Sequence, residues 1–560
     1  MRPISRTVLV LVATATLLAS GAQATTITIV NTQDGPTEGF NDPTPVAPIG
    51  GNSGTTLGQQ RLNSFQYAAN LWAAILPSNV TIRVAAKFDP QTCSATSGVL
   101  GSASPVQVFE DFPGALVPNT WFHVALANKL AGVDLSASDD ISTTFNSDVD
   151  NQTCLGATDW YYGFDGNEGT DIDLVSVVLH ELGHGLGFGT LVTLSTGALF
   201  GGLHDQYMRH LHDNTVNLPW TSMTNTQRRN SAINPQNVVW KGTTTTAAAP
   251  MILGAKPILR VNAPASIAGD KVIGLAQFGP DIATVNVSGN VVLANDGVDP
   301  NADACSPIMN SVAGKIALIE RGTCTFVSKV LTAQMSGAIG VVIYNNVPGA
   351  PIVMGGSDPS ITIPSVMISD VDGAAMVAEL MAAVTVNVSI ATDPNQLAGT
   401  DPLGRAYIYT PNPLVSGSSV SHWDTSHFPN SLMEPSINSD ITQTTDLTRY
   451  MFQDIGWFTG ATDVTRGPAV TRLYPATPNP FNPNTAIKFE IATAGQVKLE
   501  VFDVQGRHVA GLYHGTLQAG PHVMVWNGRG ASGDVLPSGV YVARLVAGAT
   551  TSTQRLVLLK

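Results

Sequence analysis

The residues most able to do chemistry lie in the stretch VSVVLHELGHGLGF, residues 175–188. It contains His180, Glu181 and His184 in the spacing H-E-x-x-H. On an α-helix, residues i and i+4 share a face, so both imidazoles can reach one metal ion. Glu181 lies beside that face, where it can take a proton from a metal-bound water. A buried helix with two incidental histidines is the alternative, but the pattern favours the chemistry of a zinc peptidase.

The residues around this pattern favour a capped helix. Asp171 or Asp173 can cap its N-terminus, and Val178 and Leu182 form an apolar stripe roughly opposite the histidines. Gly187 extends the pattern to H-E-x-x-H-x-x-G, in which a glycine lets the chain turn sharply out of the helix. We therefore expect the helix to end at this glycine.

The longer pattern resembles that of the metzincin zinc peptidases, in which this glycine follows the active-site helix. The sequence departs from the commonest metzincin pattern because Thr190 stands where the third histidine would fall. A catalytic zinc normally has three protein ligands and one open position for water. The third ligand is therefore expected from elsewhere in the chain.

One source of a third ligand is GLHDQYMRHLHD, residues 202–213. Its possible ligands are His204, Asp205, His210, His212 and Asp213. Asp205 follows His184 by 21 residues, a distance at which other zinc peptidases draw a carboxylate from a following helix. A polar helix with surface histidines is the alternative interpretation of this stretch.

The other source is GSSVSHWDTSHFPNSLMEP, residues 417–435, which holds His422, His427 and Met433. Met433 follows His422 by 11 residues, and S-H-W followed by L-M is similar to the leishmanolysin family of metzincins. In that family the third ligand is likewise displaced by an insertion, and a methionine packs beneath the zinc ligands. His427 is only six residues before Met433, which leaves little chain to cross under a metal. The resemblance also extends, less completely, to residues 56–76.

The resemblance implies a zinc-dependent metalloendopeptidase. Zinc held by His180, His184 and His422 would lower the pKa of its bound water and polarise the scissile carbonyl. Glu181 would take the water's proton and deliver it to the leaving amine. A zinc hydrolase that uses Asp205, and a non-catalytic surface or adhesion protein on a decayed peptidase fold, are the alternatives. Decay would first remove Glu181 or a ligand, so the intact set favours the enzyme.

Calcium is a second candidate cofactor. Four residues just before the zinc helix offer oxygen ligands: Asp165, Asn167, Glu168 and Asp171. An acidic turn that caps the helix is the alternative, and we favour it.

The N-terminus and the composition indicate export. Residues 1–24 combine a basic start, an apolar run over residues 8–18 and the sequence A-Q-A, which predicts a signal peptide cut after Ala24. The apolar run is too short to span a bilayer. A net charge of −14 argues against nucleic acid as a partner. We expect a secreted or cell-surface protein without a transmembrane segment, acting on a protein or peptide substrate.

Four cysteines suggest two disulfides, because their number is even and the chain is exported. Pairing by proximity in the sequence gives Cys93–Cys154 and Cys305–Cys324. None of them belongs to a C-x-x-C pair, so cysteine metal binding is not expected.

Residues 251–392 read as short apolar strands with a helix or two. KIALIERGTCTF, residues 338–345 and the sequence I-P-S-V at residues 363–366 resemble the protease-associated domain, an α/β module of many exported peptidases. The resemblance would explain Cys305–Cys324 as an internal disulfide. Such domains are thought to influence substrate access or protein contacts, and no residue here is assigned that task.

Residues 473–560 alternate between apolar and polar side chains, with glycine turns at the spacing of a β-sandwich. P-N-P-F-N-P, FDVQGR and LPSGVY resemble the C-terminal immunoglobulin-like and sorting modules of exported bacterial proteins. The resemblance implies secretion or cell-surface anchoring machinery as a partner. A structural β-domain without a sorting role is the alternative.

The sequence therefore predicts a multidomain protein. An α+β metzincin-like catalytic domain is expected in two parts, residues 25–245 and 393–458. An α/β protease-associated insert separates them, and a linker at residues 459–472 leads to the C-terminal all-β sandwich. We expect helices over residues 56–76, 327–336 and 442–457, and strands near residues 80–84, 106–109, 122–127 and 339–344.

Overall fold

The computed structural model describes residues 25–559, apart from 32–33, 152, 157, 281, 283–284, 438–440, 442, 459–470, 475, 477–478, 482–484, 494, 518–519, 531–534 and 549. The predicted signal peptide and most of the predicted linker lie outside the described residues. Within the described residues, no helix is long and apolar enough to cross a membrane.

The first part of the chain forms a small sheet covered by helices. The strand order is β1-β2-β6-β3, with the first three strands parallel and β3 antiparallel at the edge. The elements before the insert are β1 (Ile27–Val30), α1 (Leu57–Ile75), β2 (Ile82–Asp89), β3 (Gly101–Pro105), β4 (Val108–Phe109), β5 (Thr120–His123), α2 (Val124–Ala131), β6 (Ile141–Asn146), β7 (Trp160–Tyr161), β8 (Ile172–Asp173), α3 (Leu174–Leu186), β9 (His204–Asp205), β10 (Leu211–Asp213), β11 (Leu218–Pro219), α4 (Asn225–Ser231), β12 (Val238–Trp240) and α5 (Thr243–Ile252).

Helices α1 and α3 form where the sequence predicts them. The Thr56 side chain caps α1 by accepting a hydrogen bond from the Gln59 backbone, as expected for a helix over residues 56–76. The Asp173 carboxylate caps α3 and Gly187 ends it at φ +130°. The Trp72 indole of α1 donates a 3.0 Å hydrogen bond to the Leu179 carbonyl, which fixes the two helices against each other.

One local prediction is wrong. The strand predicted over residues 122–127 ends at His123, and a helix begins at Val124. The run V-A-L-A-N-K-L-A is rich in strong helix formers, and Gly132 closes it in the left-handed region, so local propensity wins over the apparent alternation. Residues 202–213 hold the short strands β9 and β10 with one 3-10 turn between them, so the alternative interpretation of this stretch as a polar helix is wrong.

An eight-stranded mixed sheet follows, with α6 and α7 beside it. The strand order is β14-β13-β20-β16-β17-β18-β19-β15. The helix and strand predicted at residues 327–336 and 339–344 are confirmed to within one residue. The elements are β13 (Ala255–Ala263), β14 (Gly269–Lys271), β15 (Gly274–Leu275), β16 (Val287–Leu293), β17 (Ile316–Glu320), α6 (Phe326–Met335), β18 (Gly340–Tyr344), β19 (Ser365–Ile368), α7 (Asp370–Met381) and β20 (Asn387–Leu397).

The points where the chain enters and leaves this sheet lie side by side. Its first and last long strands, β13 and β20, pair antiparallel, and Ala255 is opposite Leu397. The chain therefore leaves and re-enters the rest of the molecule at adjacent points. Such an insertion costs little, because loop-closure entropy grows slowly with length.

After the insert, the chain rejoins the core that it left. One continuous hydrophobic core contains Leu186 and Trp240 from before the insert and Met433 and Phe452 from after it. The helix expected over residues 442–457 is shorter, α8 (Thr448–Ile455), because Asp446 receives the Thr448 backbone N–H and so begins the helix later.

The C-terminal part is all-β. Its two sheets, β21-β22-β25 and β24-β23-β26-β27, share a hydrophobic core of their own. The strands are β21 (Arg472–Leu473), β22 (Thr485–Ile491), β23 (Gly495–Asp503), β24 (His508–Leu517), β25 (Gly520–Trp526), β26 (Gly539–Ala547) and β27 (Thr550–Leu558).

Both predicted disulfides are confirmed. Cys93 pairs with Cys154 in the first part of the chain, and Cys305 pairs with Cys324 in the insert.

Candidate metal centre

Three histidines from two distant parts of the chain meet at the end of α3. His180 and His184 come from the helix and His422 from the segment after the insert, and their ligand atoms lie within 4.8 Å of one another. The Nε2 atom of His180 is 3.1 Å from that of His184 and 3.2 Å from that of His422. Among the described residues, this is the one cluster of three or more side chains placed to share a metal ion.

Backbone carbonyls orient all three imidazoles. The Nδ1 atom of each ring lies 2.7–2.8 Å from a carbonyl oxygen. The acceptor is Leu432 for His180, Phe188 for His184 and Ser418 for His422. A carbonyl can only accept, so each Nδ1 carries the proton and each Nε2 presents a lone pair to the shared centre.

Burial keeps these rings neutral. It lowers the pKa of His180 to about 3 and that of His184 to about 4, and holds the pKa of His422 well below its ordinary value. Three neutral imidazole nitrogens at one point form the donor set that zinc takes in catalytic sites with an open fourth position. The residues present therefore fit a zinc ion.

Glu181 lies beside this cluster without being part of it. Burial raises the pKa of its carboxyl group to about 8. Strand β3 starts against it, because a Cβ added to Gly101 would lie 3.1 Å from its Cγ. The site therefore has one buried acidic side chain beside the histidine cluster that is not part of it.

Met433 packs against α3 between the two histidines of that helix. It is fully buried, and its Sδ would lie 2.6 Å from a Cβ added to Gly183, between the two histidines of α3. Gly183 therefore lets the methionine approach the helix. The Met433 carbonyl accepts a 2.8 Å hydrogen bond from the Trp423 backbone, which joins the methionine turn to the segment of His422.

Asp446 supports His180 through the backbone of Leu432. Its carboxylate accepts a hydrogen bond from the Leu432 backbone N–H, and the Leu432 carbonyl accepts from His180. The same carboxylate accepts from Thr448 at the start of α8. Asp446 was not predicted as a site residue, although an aspartate just before a helix is a capping signal.

Asp205 is a loop anchor, and the structure does not place it in the histidine cluster. Its carboxylate accepts hydrogen bonds from the Thr190 hydroxyl, the Leu191 backbone and the Met208 backbone, all at 2.7–2.8 Å. It thereby holds the chain that leaves α3. The proposal that Asp205 is the third ligand therefore loses its geometric support.

The remaining candidates also lie elsewhere. His427 stacks on Trp423, and its Nδ1 is 2.8 Å from the Ser431 hydroxyl. His210 stacks on Trp240, and His212 is 3.2 Å from the Asn217 side chain. In the acidic turn before α3, Asp165 pairs with the Tyr161 hydroxyl and the Asn167 backbone.

Two segments of the chain match known domain families. The PA domain family matches residues 286–376, and the FlgD Ig-like domain family matches residues 479–551. The insert therefore contains a PA domain, and the C-terminal part contains an Ig-like domain of the FlgD type. Both matches fall within segments where the sequence resembles such modules.

Known proteins resemble only parts of the chain. It is 33% identical over 107 residues to a receptor homology region, transmembrane domain- and RING domain-containing protein 1 of Arabidopsis thaliana, and these cover 18% of this chain and 33% of that protein. It is 46% identical over 79 residues to a leucine aminopeptidase 2 of Arthroderma otae, covering 13% of this chain and 16% of that protein.

The solved structure of an aminopeptidase from Aneurinibacillus sp. strain AM-1 is 25% identical with a TM-score of 0.20, and the match covers 27% of this chain and 36% of that one. A TM-score this low does not show that the two proteins share a fold or an activity. The chain spans about a third or less of the length of the two curated relatives. These similarities therefore concern segments of the chain only. The activity of the whole protein has to be inferred from the geometry of its own site.

Proposed function

We propose that this protein is a zinc-dependent metalloendopeptidase of the metzincin type, similar to the leishmanolysin family. One observation carries the proposal: three imidazole Nε2 lone pairs converge beside Glu181, with Met433 packed against α3 between its two histidines. The two-part catalytic domain, residues 25–245 and 393–458, belongs to the same proposal.

In the proposed mechanism, His180, His184 and His422 would hold a zinc ion through their Nε2 atoms. Bound zinc would lower the pKa of a water molecule and polarise the scissile carbonyl. The Glu181 carboxylate takes a proton from the attacking water and passes it to the nitrogen of the leaving amine. The carbonyls of Leu432, Phe188 and Ser418 keep each Nδ1 protonated, so every Nε2 remains a donor to the metal.

We also propose that the protein is exported, with residues 1–24 as its signal peptide, and that the Ig-like module meets secretion or surface-anchoring machinery. The two disulfides support an oxidising compartment.

The test measures bound zinc and proteolysis on the mature protein. Wild type should bind one zinc and cleave a denatured protein. Glu181→Gln should keep the zinc and lose about 10²–10⁴-fold in rate. His422→Ala should lose zinc, whereas His427→Ala and Asp205→Ala should retain it. Zinc retained by His422→Ala, or cleavage by Glu181→Gln at the parent rate, would contradict the proposal.

A further inference from the structure

A cleft of about 570 Å³ opens at the C-terminal end of β3. None of its nine lining residues carries a charge. Phe200 is 51% exposed and Val106 41% exposed, although apolar side chains of this size are mostly buried elsewhere in this part of the chain. Exposed apolar surface that is concentrated in a concave site indicates ligand binding. The main walls of the cleft are formed by Pro105, Val106, Phe109, Trp121, Leu191 and Phe200.

The aromatic wall of the cleft is held in place. The Trp121 indole N–H donates a 2.9 Å hydrogen bond to the Phe200 carbonyl, and the two rings meet edge to face with centroids 5.7 Å apart. Gly201 has φ +56°, and a Cβ there would lie 3.2 Å from the indole. The glycine therefore lets the turn close over Trp121, so that the wall is formed before any ligand arrives.

The opposite wall is joined to the metal centre. Leu191 is three residues beyond Phe188, whose carbonyl orients His184. The Leu191 backbone N–H donates to Asp205, and Asp205 pairs across the sheet with Trp121 of β5. One buried carboxylate thus ties the wall of the cleft to the chain that orients a proposed zinc ligand.

The length of strand β3 gives the distance between the cleft and Glu181, the proposed general base. Gly101, at its start, lies against Glu181, whereas Ser104 and Pro105, at its end, line the cleft. A strand rises about 3.3 Å per residue, so the separation is about 10–13 Å. An extended peptide covers that length in about three or four residues.

We propose that this cleft is a specificity subsite for a large apolar or aromatic side chain of an extended peptide substrate, about three residues from the bond that is cleaved. The inference rests on the proposed peptidase function and adds a substrate class to it. Uncharged walls disfavour charged side chains, and the edges of Trp121 and Phe200 suit an aromatic ring.

The experiment maps cleavage sites in a denatured protein by mass spectrometry, using the zinc-loaded mature enzyme. Aligned sites should show Phe, Tyr, Trp or Leu enriched at one position about three residues from the bond. Peptides that differ only by Phe or Ala at that position should differ by about tenfold or more in kcat/KM.

Val106→Asp should abolish the preference for Phe and favour Lys or Arg at the same position. Phe200→Ala should reduce the preference for Phe. Val133→Asp is the matched control, because Val133 is 57% exposed and does not line the cleft. It should cleave with the wild-type pattern.

Proteolysis without enrichment at any position, or an unchanged pattern in Val106→Asp, would overturn the subsite while leaving the peptidase proposal intact. If wild type cleaves nothing, the peptidase proposal fails, and the subsite is decided by binding. Peptides with Phe or Ala at one scanned position are then titrated against zinc-loaded Glu181→Gln. Equal binding of both sets would overturn the subsite, whereas tighter binding of Phe peptides that Val106→Asp removes would support it.

Discussion

At the scale of single residues, the histidine cluster depends on groups that are not side chains. Each imidazole donates its Nδ1 proton to a main-chain carbonyl, so the orientation of the ring follows the path of the backbone. Only His180 has a carboxylate behind its carbonyl partner, because Asp446 receives the N–H of Leu432. A change in the charge at Asp446 should therefore reach the metal through the backbone of one residue, Leu432.

We expect Asp446→Asn to weaken zinc binding by about 10–100-fold, the usual cost of losing an outer partner of a metal ligand. Competition with a chromophoric chelator measures the affinity. Asp454→Asn is the matched control, because Asp454 also accepts backbone hydrogen bonds at the start of a helix, from Thr244 and Thr245, without contacting the site. Equal zinc affinities in the two variants would contradict the role of Asp446.

Spacing and the family resemblance together selected the residues of the cluster. H-E-x-x-H places His180, Glu181 and His184, and the distance to Met433 favoured His422 over His427. The structure brings the three Nε2 atoms together, and their role as zinc ligands stays a prediction. Sequence could not identify Asp446 or the three carbonyls, because a backbone acceptor has no residue type and a capping aspartate has many uses.

At the scale of elements, α3 packs against Met433 at a position, Gly183, where a side chain does not fit. Gly183 lies on the face that meets Met433, where a methyl group would come within 2.6 Å of the sulfur. A helix normally gains from Ala in place of Gly. At Gly183, however, the methyl group of an alanine would clash with the buried Met433 side chain.

Gly183→Ala should therefore lower the free energy of unfolding by about 1–3 kcal/mol instead of raising it. Urea denaturation measures the change. Combining it with Met433→Ala should cost less than the sum of the two single changes, because the shorter side chain removes the overlap. Strict additivity of the two changes would show that the contact is not the cause.

The elements that could be predicted are those with a long period or a clear boundary. Helix α1 has both an apolar repeat and a Thr56 cap, so it was found nearly residue for residue. The strand predicted over residues 122–127 failed because a two-residue alternation in an alanine-rich run also fits a helix. Helix α8 was predicted too long because the start depends on Asp446, whose carboxylate is engaged by Leu432 and Thr448.

At the scale of the whole molecule, the described residues form four hydrophobic core clusters, two of which belong to the insert. Residues on both sides of the insert share one core, whereas the C-terminal strands have a separate one. Trp457, just after α8, belongs to the first core, and its indole donates a 3.0 Å hydrogen bond to the Leu186 carbonyl of α3. The C-terminal module should therefore be removable, and α8 should not.

A mature protein that ends at Phe458 should keep zinc binding and proteolysis. A mature protein that ends at Asp446 should lose both, because it lacks the buried Met451, Phe452 and Trp457. Zinc content and the melting temperature of both truncations check this expectation. A folded, inactive protein ending at Phe458 would show that the module is part of the catalytic unit.

Acid should destabilise the molecule through buried neutral histidines. Burial lowers the pKa of His427 from 6.5 to about 3, so its neutral form contributes stability that is complete above pH 6.5. That contribution is lost as the pH falls toward 3. His427→Phe keeps a ring against Trp423 but cannot bind the proton.

Urea denaturation between pH 4 and 6 should show a pH slope smaller in His427→Phe than in wild type by up to one proton, about 1.4 kcal/mol per pH unit. Both proteins are measured without metal, so that release of metal does not differ between them. Identical slopes would place the acid-sensitive groups elsewhere.

The insertion also fixes when the centre can exist during synthesis. A ribosome makes His180 and His184 early, and His422 lies 238 residues beyond His184 in a chain of 560. A nascent chain therefore has two of the three nitrogens, and lacks Met433, over that whole stretch of its elongation. A chain that stalls or is cut short within the insert carries an incomplete centre. The order of synthesis would thus delay the proposed hydrolysis until most of the polypeptide has been made.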